Sequence, residues 1–132
     1  MPNALQPRVT VIVAAHGELA EALVSAAALI AGPRPDVVGL GLAPGETPSM
    51  FEARLAAAVA AGGAVLILAD LFGGTPWNAS MRLARGRPEL RVVSGVNLPM
   101  LLEVVLARDG AGLDALARLA QHAGAEAVRS SV

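Results

Sequence analysis

The chain alternates between short apolar runs and longer segments in which apolar residues recur at helical spacing. Four runs predict strands, because each is short, rich in Val, Ile or Leu and bounded by turn-forming or charged residues. They are residues 9–15, 36–42, 64–69 and 90–95. None of them alternates strictly between apolar and polar residues, and this is typical of strands that are buried on both faces of a parallel sheet.

Helices are predicted between these strands and after the last one. The first runs from about Glu18 to Ala31, and its acidic first turn suits the positive end of the helix dipole. The second begins at Thr47, a candidate N-cap, with Pro48 at the first helical position. Three more are expected, namely a short helix up to about residue 85, one that ends near residues 108–110, and one that carries Leu113, Leu116 and Ala120. The tail after residue 123 fits either a short edge strand or a frayed end.

The order of these elements predicts a single α/β domain over residues 1–132 with a parallel sheet. The commonest small doubly wound sheet has its strands in the order 2-1-3-4, with helices on both faces. In such a sheet, ligands bind beyond the carboxyl ends of the strands, at the point where the strand order reverses. That point lies here between the first and third strands.

Composition narrows the possible chemistry. The chain has no Cys, and all ten of its basic residues are Arg, so thiolate sites, a Walker A lysine and Schiff-base chemistry are excluded. A net charge of −1 gives no basic field for nucleic acid. No apolar run is long enough for a membrane span, and the first residues do not form a signal peptide, so we expect a soluble cytoplasmic protein. The sequence suggests no metal site and no cofactor.

The residues that follow the first and third strands are His16 and Asp70, one of only two histidines and an acid 54 positions away. The predicted fold makes them neighbours at the switch point. A carboxylate that accepts from one imidazole nitrogen leaves the lone pair of the other nitrogen facing outward, as a nucleophile. Each residue also has a structural interpretation as a capping group at a strand end. His122, in the last helix and far in sequence from an acidic cluster, is expected to be a surface or packing residue.

A glycine-rich turn follows Asp70. Gly73 and Gly74 allow the backbone to approach a ligand closely. Thr75 and Pro76 are expected at the N-cap and first position of the next helix, whose free N–H groups favour an anion. An ordinary turn would have the same pattern. Together with His16 and Asp70, however, the turn suggests a phosphorylated histidine.

Three longer segments resemble the mannose-type IIA domains of the bacterial phosphoenolpyruvate-dependent sugar phosphotransferase system. They are VIVAAHGELAEALVSAAALIAG, VLILADLFGGTPWNAS and VVSGVNLPMLLEVVLAR. The resemblance implies that His16 accepts a phosphoryl group on Nε2 from the phosphocarrier HPr, with Asp70 bound to the other ring nitrogen. It further implies that Thr75 contacts the phosphoryl group, that Gly73 and Gly74 admit the backbone, and that Asn97 lies near the rim of the site. The residues themselves favour a structural interpretation of Asn97, as a capping residue between strand and helix, over a direct catalytic role.

The resemblance also implies a homodimer in which a C-terminal antiparallel edge strand, about Glu126–Ser130, is exchanged between subunits. The phosphoryl group would pass to an EIIB component. Two other roles stay open at this point, a stand-alone regulatory EIIA and a subunit that serves a dihydroxyacetone kinase. A flavodoxin-like binder of small molecules, with no phosphohistidine, is a further alternative. Trp77 fits either a docking residue for HPr or a core residue.

Overall fold

A four-stranded parallel sheet organises the computed structural model, which describes residues 8–132. The elements, in chain order, are β1 Thr10–His16, α1 Leu19–Ala31, β2 Val37–Leu42, α2 Pro48–Val59, β3 Val65–Ala69, α3 Thr75–Ala84, β4 Leu90–Ser94, α4 Leu98–Ala107 and α5 Leu113–Glu126. The strand order is β2-β1-β3-β4, and all three pairings are parallel. The predicted α/β fold and its 2-1-3-4 order are therefore confirmed.

Both faces of the sheet are buried, as the lack of alternation indicated. In β1, Val11, Val13 and Ala15 face a core built with α1, α4 and α5. Ile12 and Ala14 face the opposite core, which α2 and α3 complete. A strand that is apolar on both sides is held by two independent hydrophobic layers, and this fixes the position at which β1 ends.

The end of β1 is also fixed by its neighbours. Val11 to His16 pair in register with Val37 to Leu42 of β2, and Ala14 pairs with Ala69 at the end of β3. The backbone N–H of Asp70 then donates to the carbonyl of Ala14. This register places the residues after β1 and β3 side by side at the carboxyl edge of the sheet.

Two local predictions need correction. Thr75 is not the N-cap of α3, because Gly74 has the extended N-cap conformation and Thr75 is the first helical residue. The strand expected from Glu126 does not begin there, because α5 continues through Glu126 and Ala127 caps it. Residues 128–132 have no regular secondary structure within the single chain, so the exchanged strand and the homodimer stay predictions.

Candidate functional site

His16 and Asp70 lie together at the switch point between β1 and β3. His16 is the last residue of β1, and Asp70 directly follows β3. The Oδ2 atom of Asp70 lies 2.9 Å from His16 Nδ1 and accepts a hydrogen bond from the His16 backbone N–H at 3.0 Å. One carboxylate oxygen thus holds both the ring and the backbone of the histidine. The sequence argument from strand ends placed these two residues side by side, and the structure does the same.

The contact with Asp70 indicates which ring nitrogen carries the lone pair. An ionised carboxylate can only accept hydrogen bonds, so Nδ1 carries the proton that it shares with Oδ2. The neutral ring then has its lone pair on Nε2. The His16 side chain is 45% exposed, whereas that of Asp70 is 13% exposed. The ring is therefore partly open to solvent, while the carboxylate that orients it is mostly covered.

The glycine-rich turn closes the other side of the imidazole ring. A Cβ atom placed on Gly74 would lie 2.9 Å from His16 Cε1 and 3.4 Å from Nε2. The backbone of Gly74, with φ −78° and ψ 172°, is open to any residue, so glycine is favoured here by the space available: the His16 ring is nearest, and the Leu71 carbonyl oxygen would also lie 3.4 Å from a Cβ. Gly73 differs, because its φ of +83° lies in the left-handed region that side chains disfavour.

The start of α3 leaves backbone donors beside this ring. The first intrahelical bond runs from Asn78 N to Gly74 O at 2.9 Å, and the preceding N–H groups of Thr75 and Trp77 have no partner within the helix. Pro76 contributes no N–H. Four helices begin at this edge of the sheet. Side chains cap two of them, α2 through Thr47 and α4 through Asn97, whereas α1 and α3 start without such a cap. The uncapped starts therefore flank His16, where their free N–H groups favour an anion.

Asn97 has a structural role that uses both the oxygen and the nitrogen of its amide group. Its Oδ1 atom accepts from the backbone N–H of Met100 at 3.0 Å and caps α4. Its Nδ2 atom donates to the carbonyl of Gly124 in α5 at 3.1 Å. The amide therefore connects the start of α4 to α5, which favours the capping interpretation over a direct contact with a ligand.

Two of the three aromatic residues of the chain lie on the loop and helix that follow Asp70. Phe72 is 73% exposed, and its ring centroid lies 5.0 Å from that of the half-buried Trp77. Leu71 beside it is also exposed. His122, in contrast, lies exposed on α5. An apolar surface thus adjoins His16, and the second histidine is not part of it.

Within residues 8–132, no group of three or more His, Asp and Glu side chains could hold a metal ion. In the same part of the chain, no helix is both long and apolar enough to cross a membrane.

Comparisons with known proteins place these features in a family context. Residues 10–121 match EIIA-man, which is described as the PTS system fructose IIA component. The PTS system mannose-specific EIIAB component of Escherichia coli (strain K12) is 34% identical over 127 residues, which make up 92% of this chain and 39% of that relative. The PTS system sorbose-specific EIIA component of Klebsiella pneumoniae is 36% identical over 96 residues, covering 71% of this chain and 70% of the relative. Among solved structures, the mannose/sorbose specific IIA subunit of the phosphotransferase system from Enterococcus faecalis superposes with a TM-score of 0.87 at 33% identity. That match covers 94% of this chain and 95% of the other.

Proposed function

The chain belongs to the EIIA-man family of phosphotransferase-system IIA components, and from this premise we propose that it carries a phosphoryl group on His16. The group comes from the phosphohistidine of HPr and goes on to an EIIB component. The family membership confirms the resemblance drawn from the sequence motifs. The chain covers only 39% of its mannose-specific EIIAB relative, so the donor, the acceptor and the residue roles are part of the proposal.

The observation that carries the proposal is the pairing of His16 Nδ1 with Asp70 Oδ2 at 2.9 Å. With the shared proton on Nδ1, the lone pair lies on Nε2, on the side of the ring away from Asp70. As a positive charge develops on the imidazole during attack on phosphorus, the carboxylate stabilises it. The same contact fixes the ring orientation, so that little freedom is lost when a phosphorylated donor arrives.

In the proposed reaction, a bond forms between His16 Nε2 and phosphorus while the bond from phosphorus to the donor's imidazole nitrogen breaks. The electron pair of the breaking bond stays with the donor imidazole. The phosphoryl oxygens carry the negative charge throughout, and the free N–H groups of Thr75 and Trp77 at the start of α3 suit them. The Thr75 hydroxyl supplies a further donor. Gly74 leaves room for the ring and for the group upon it.

We propose a homodimer on separate grounds. Within the described chain β4 pairs only with β3, so its outer edge offers unpaired backbone groups. The tail after α5 carries the exposed side chain of Val128. If this tail paired with the β4 edge of a second subunit, the edge would gain hydrogen-bond partners and the Val128 side chain would be covered. Light scattering on the chain with and without residues 128–132 tests this part, and a monomeric full-length protein would contradict it.

Transfer of labelled phosphate tests the main proposal. We expect incubation with enzyme I, HPr and labelled phosphoenolpyruvate to give an acid-labile label, and His16→Ala to remove it. His122→Ala is the matched control, since it removes the only other histidine, and it should take label at the normal rate. Label that persists in His16→Ala would refute His16 as the acceptor.

The fate of the label separates the remaining roles. Loss of label on addition of an EIIB component supports a relay in sugar transport, in the cytoplasm where these soluble carriers meet. Loss to a dihydroxyacetone-kinase subunit would assign the chain to that system instead. A label held against all of them would contradict the relay and favour a regulator that acts by protein contact.

A further inference from the structure

The turn that lies against the His16 ring contains two consecutive glycines and is exposed at Gly73. Glycine pairs have more backbone freedom than other residue pairs, so such a turn keeps one conformation only if other groups hold it. The backbone supplies one bond, from Gly74 N to Leu71 O at 3.1 Å. This bond leaves the Gly73 carbonyl to be fixed by something else.

Asn78 supplies that second restraint. Its side-chain Nδ2 donates to the carbonyl oxygen of Gly73 at 3.0 Å. Its backbone N–H donates to the carbonyl oxygen of Gly74 at 2.9 Å. One residue on the first turn of α3 therefore holds two successive carbonyl groups of the turn, and both face α3 as a result.

The position of Gly74 makes this restraint relevant to the imidazole. The Cα of Gly74 lies so close to the ring that an added Cβ would approach Cε1 to 2.9 Å and Nε2 to 3.4 Å. The ring is therefore bounded on its Nδ1 side by Asp70 and on its Cε1–Nε2 edge by Gly74. If the turn moved, Asp70 would still bind Nδ1, but the opposite edge of the ring would lose its boundary.

We propose that Asn78 is a positioning residue for phosphoryl transfer, which holds the Gly73–Gly74 turn against His16 and thereby fixes the direction of Nε2. This inference rests on the proposed function of His16 and adds a residue to it. Asn78 itself does not touch the reacting atoms. Its amide is exposed, so its hydrogen bond contributes little to global stability, and its effect should appear in the transfer step.

The kinetic test uses Asn78→Ala and Asn78→Asp, the second of which keeps the size but replaces the donor with an acceptor. We expect both to lower kcat for phosphorylation by phospho-HPr about tenfold, with KM for the donor unchanged within about twofold. Arg82→Ala is the matched control. It lies one turn further along α3 and also loses an exposed side-chain hydrogen bond, to Glu52, but it does not contact the turn. It should retain the normal kcat.

A spectroscopic measurement tests the geometry without enzymatic turnover. With only two histidines in the chain, the His16 Cε1–H signal is easily assigned. We expect a nuclear Overhauser effect between this proton and the Gly74 α-protons in the unaltered protein, and a weaker one in Asn78→Ala. Its absence from the unaltered protein would overturn the inference whatever the variants do.

The outcomes separate this inference from the function on which it rests. If the unaltered protein takes no label on His16, the proposed function fails. If it takes label and Asn78→Ala has a normal kcat, only the positioning role fails. A raised KM with normal kcat would assign Asn78 to donor docking and would also overturn the inference.

Discussion

Two aspartates hold a basic side chain through one carboxylate oxygen at opposite ends of β1. At the carboxyl end, Asp70 Oδ2 lies 2.9 Å from His16 Nδ1. At the amino end, Asp36 Oδ2 lies 2.8 Å from Arg108 Nη1, which also donates to the Val9 carbonyl at 3.0 Å. In each aspartate the second oxygen is buried and has no hydrogen-bond partner among residues 8–132.

The basic partners differ in exposure and in charge. The Arg108 side chain is 1% exposed and permanently charged, so its charge must be compensated inside the protein. Burial alone would raise the pKa of Asp36, but the hydrogen bond and the charge of Arg108, with smaller contributions from a backbone hydrogen bond and the charge of Arg8, hold that pKa below its usual value. His16 is far more exposed and can exist as a neutral ring. Under the proposed function, similar contacts therefore serve stability at one end of the strand and reactivity at the other.

The largest effect is expected from Arg108→Met, which keeps the bulk of the side chain and removes its charge. Asp36 and the Val9 carbonyl then lose their shared partner. We expect the free energy of unfolding to fall by about 3 kcal/mol, the lower end of the range for broken buried ion pairs, because Asp36 is partly exposed. Urea denaturation measures this. Arg118→Met, on the exposed face of α5, is the control and should change stability by less than about 0.5 kcal/mol.

The comparison also predicts that Arg108→Met, once folded, takes label on His16 at the normal rate. A stability loss below about 1 kcal/mol would show that the buried pair is not a stabilising contact of this fold. Normal stability and slow labelling in Arg108→Met would mean that the Arg108 pair serves reactivity and not stability.

Asp70→Ala should have the opposite profile. Without the carboxylate, the ring loses its orientation and the stabilisation of its developing charge, so phosphorylation should slow about 100-fold, or about 2.7 kcal/mol in the barrier. Stability should fall by only about 1 kcal/mol, because the His16 backbone N–H lies near solvent and the unpartnered Asp70 oxygen is removed as well.

Single-turnover labelling measures the phosphorylation rate of Asp70→Ala, and urea denaturation measures its stability. Asp114→Ala is the control. It removes an aspartate of α5 that also pairs with a basic side chain, that of Arg91 in β4. Normal labelling kinetics in Asp70→Ala would mean that Asp70 serves only to cap the end of β1.

The contact between His16 and Asp70 was predictable from the sequence, whereas the buried pair of Arg108 and Asp36 was not. Strand ends and the switch-point rule were enough to bring His16 and Asp70 together, because both are read from local apolar runs. In the sequence, Arg108 was recognisable only as a residue near the end of a predicted helix. Its burial depends on Asp36, 72 positions earlier, and no local pattern connects the two.

The local details of the glycine-rich turn were also beyond the sequence. The pattern GGTP suggested Thr75 as the N-cap, because Thr is a common capping residue, but the cap is Gly74. Its proximity to the imidazole explains the choice of glycine, and this contact spans 58 positions of sequence. The sequence indicated an anion site here, whereas the tight packing against His16 required the structure.

Gly74→Ala is expected to change the labelling rate without changing stability. The new methyl group would push the His16 ring, which is the movable end of a side chain, while the backbone conformation stays acceptable to alanine. We expect labelling to slow about tenfold, or about 1.4 kcal/mol, with little change in stability. Gly86→Ala is the counterpart. Its φ of +72° disfavours a side chain, so it should cost about 1 kcal/mol of stability and leave labelling unchanged. Equal labelling rates in the two variants would contradict the contact between Gly74 and the ring.

The smallest effect concerns a third pair, Arg54 and Glu46, which resembles the Arg108 pair in chemistry but whose arginine side chain is 44% exposed. Arg54 donates to both oxygens of Glu46, at 2.7 and 2.8 Å. Its hydrogen bonds, with one from the Ala43 N–H, lower the pKa of Glu46 from 4.5 to about 2. Because the folded pKa is below the unfolded one, this stabilisation is complete above about pH 4.5 and is lost as the pH falls toward about 2.

Arg54→Met should therefore raise the Glu46 titration midpoint, measured from its carboxyl carbon shift, while the remaining Ala43 contact keeps it below 4.5. It should also flatten the fall of the melting temperature between about pH 4.5 and pH 2. Arg82→Met, which removes the partner of Glu52 instead, should leave the Glu46 midpoint in place. Since ion pairs with a solvent-exposed arginine contribute little to stability, the melting temperature at pH 7 should change far less than in Arg108→Met. If Arg54→Met lowered the melting temperature at pH 7 as much as Arg108→Met does, the stability lost in Arg108→Met would come from the missing carboxylate contact and not from the burial of the arginine.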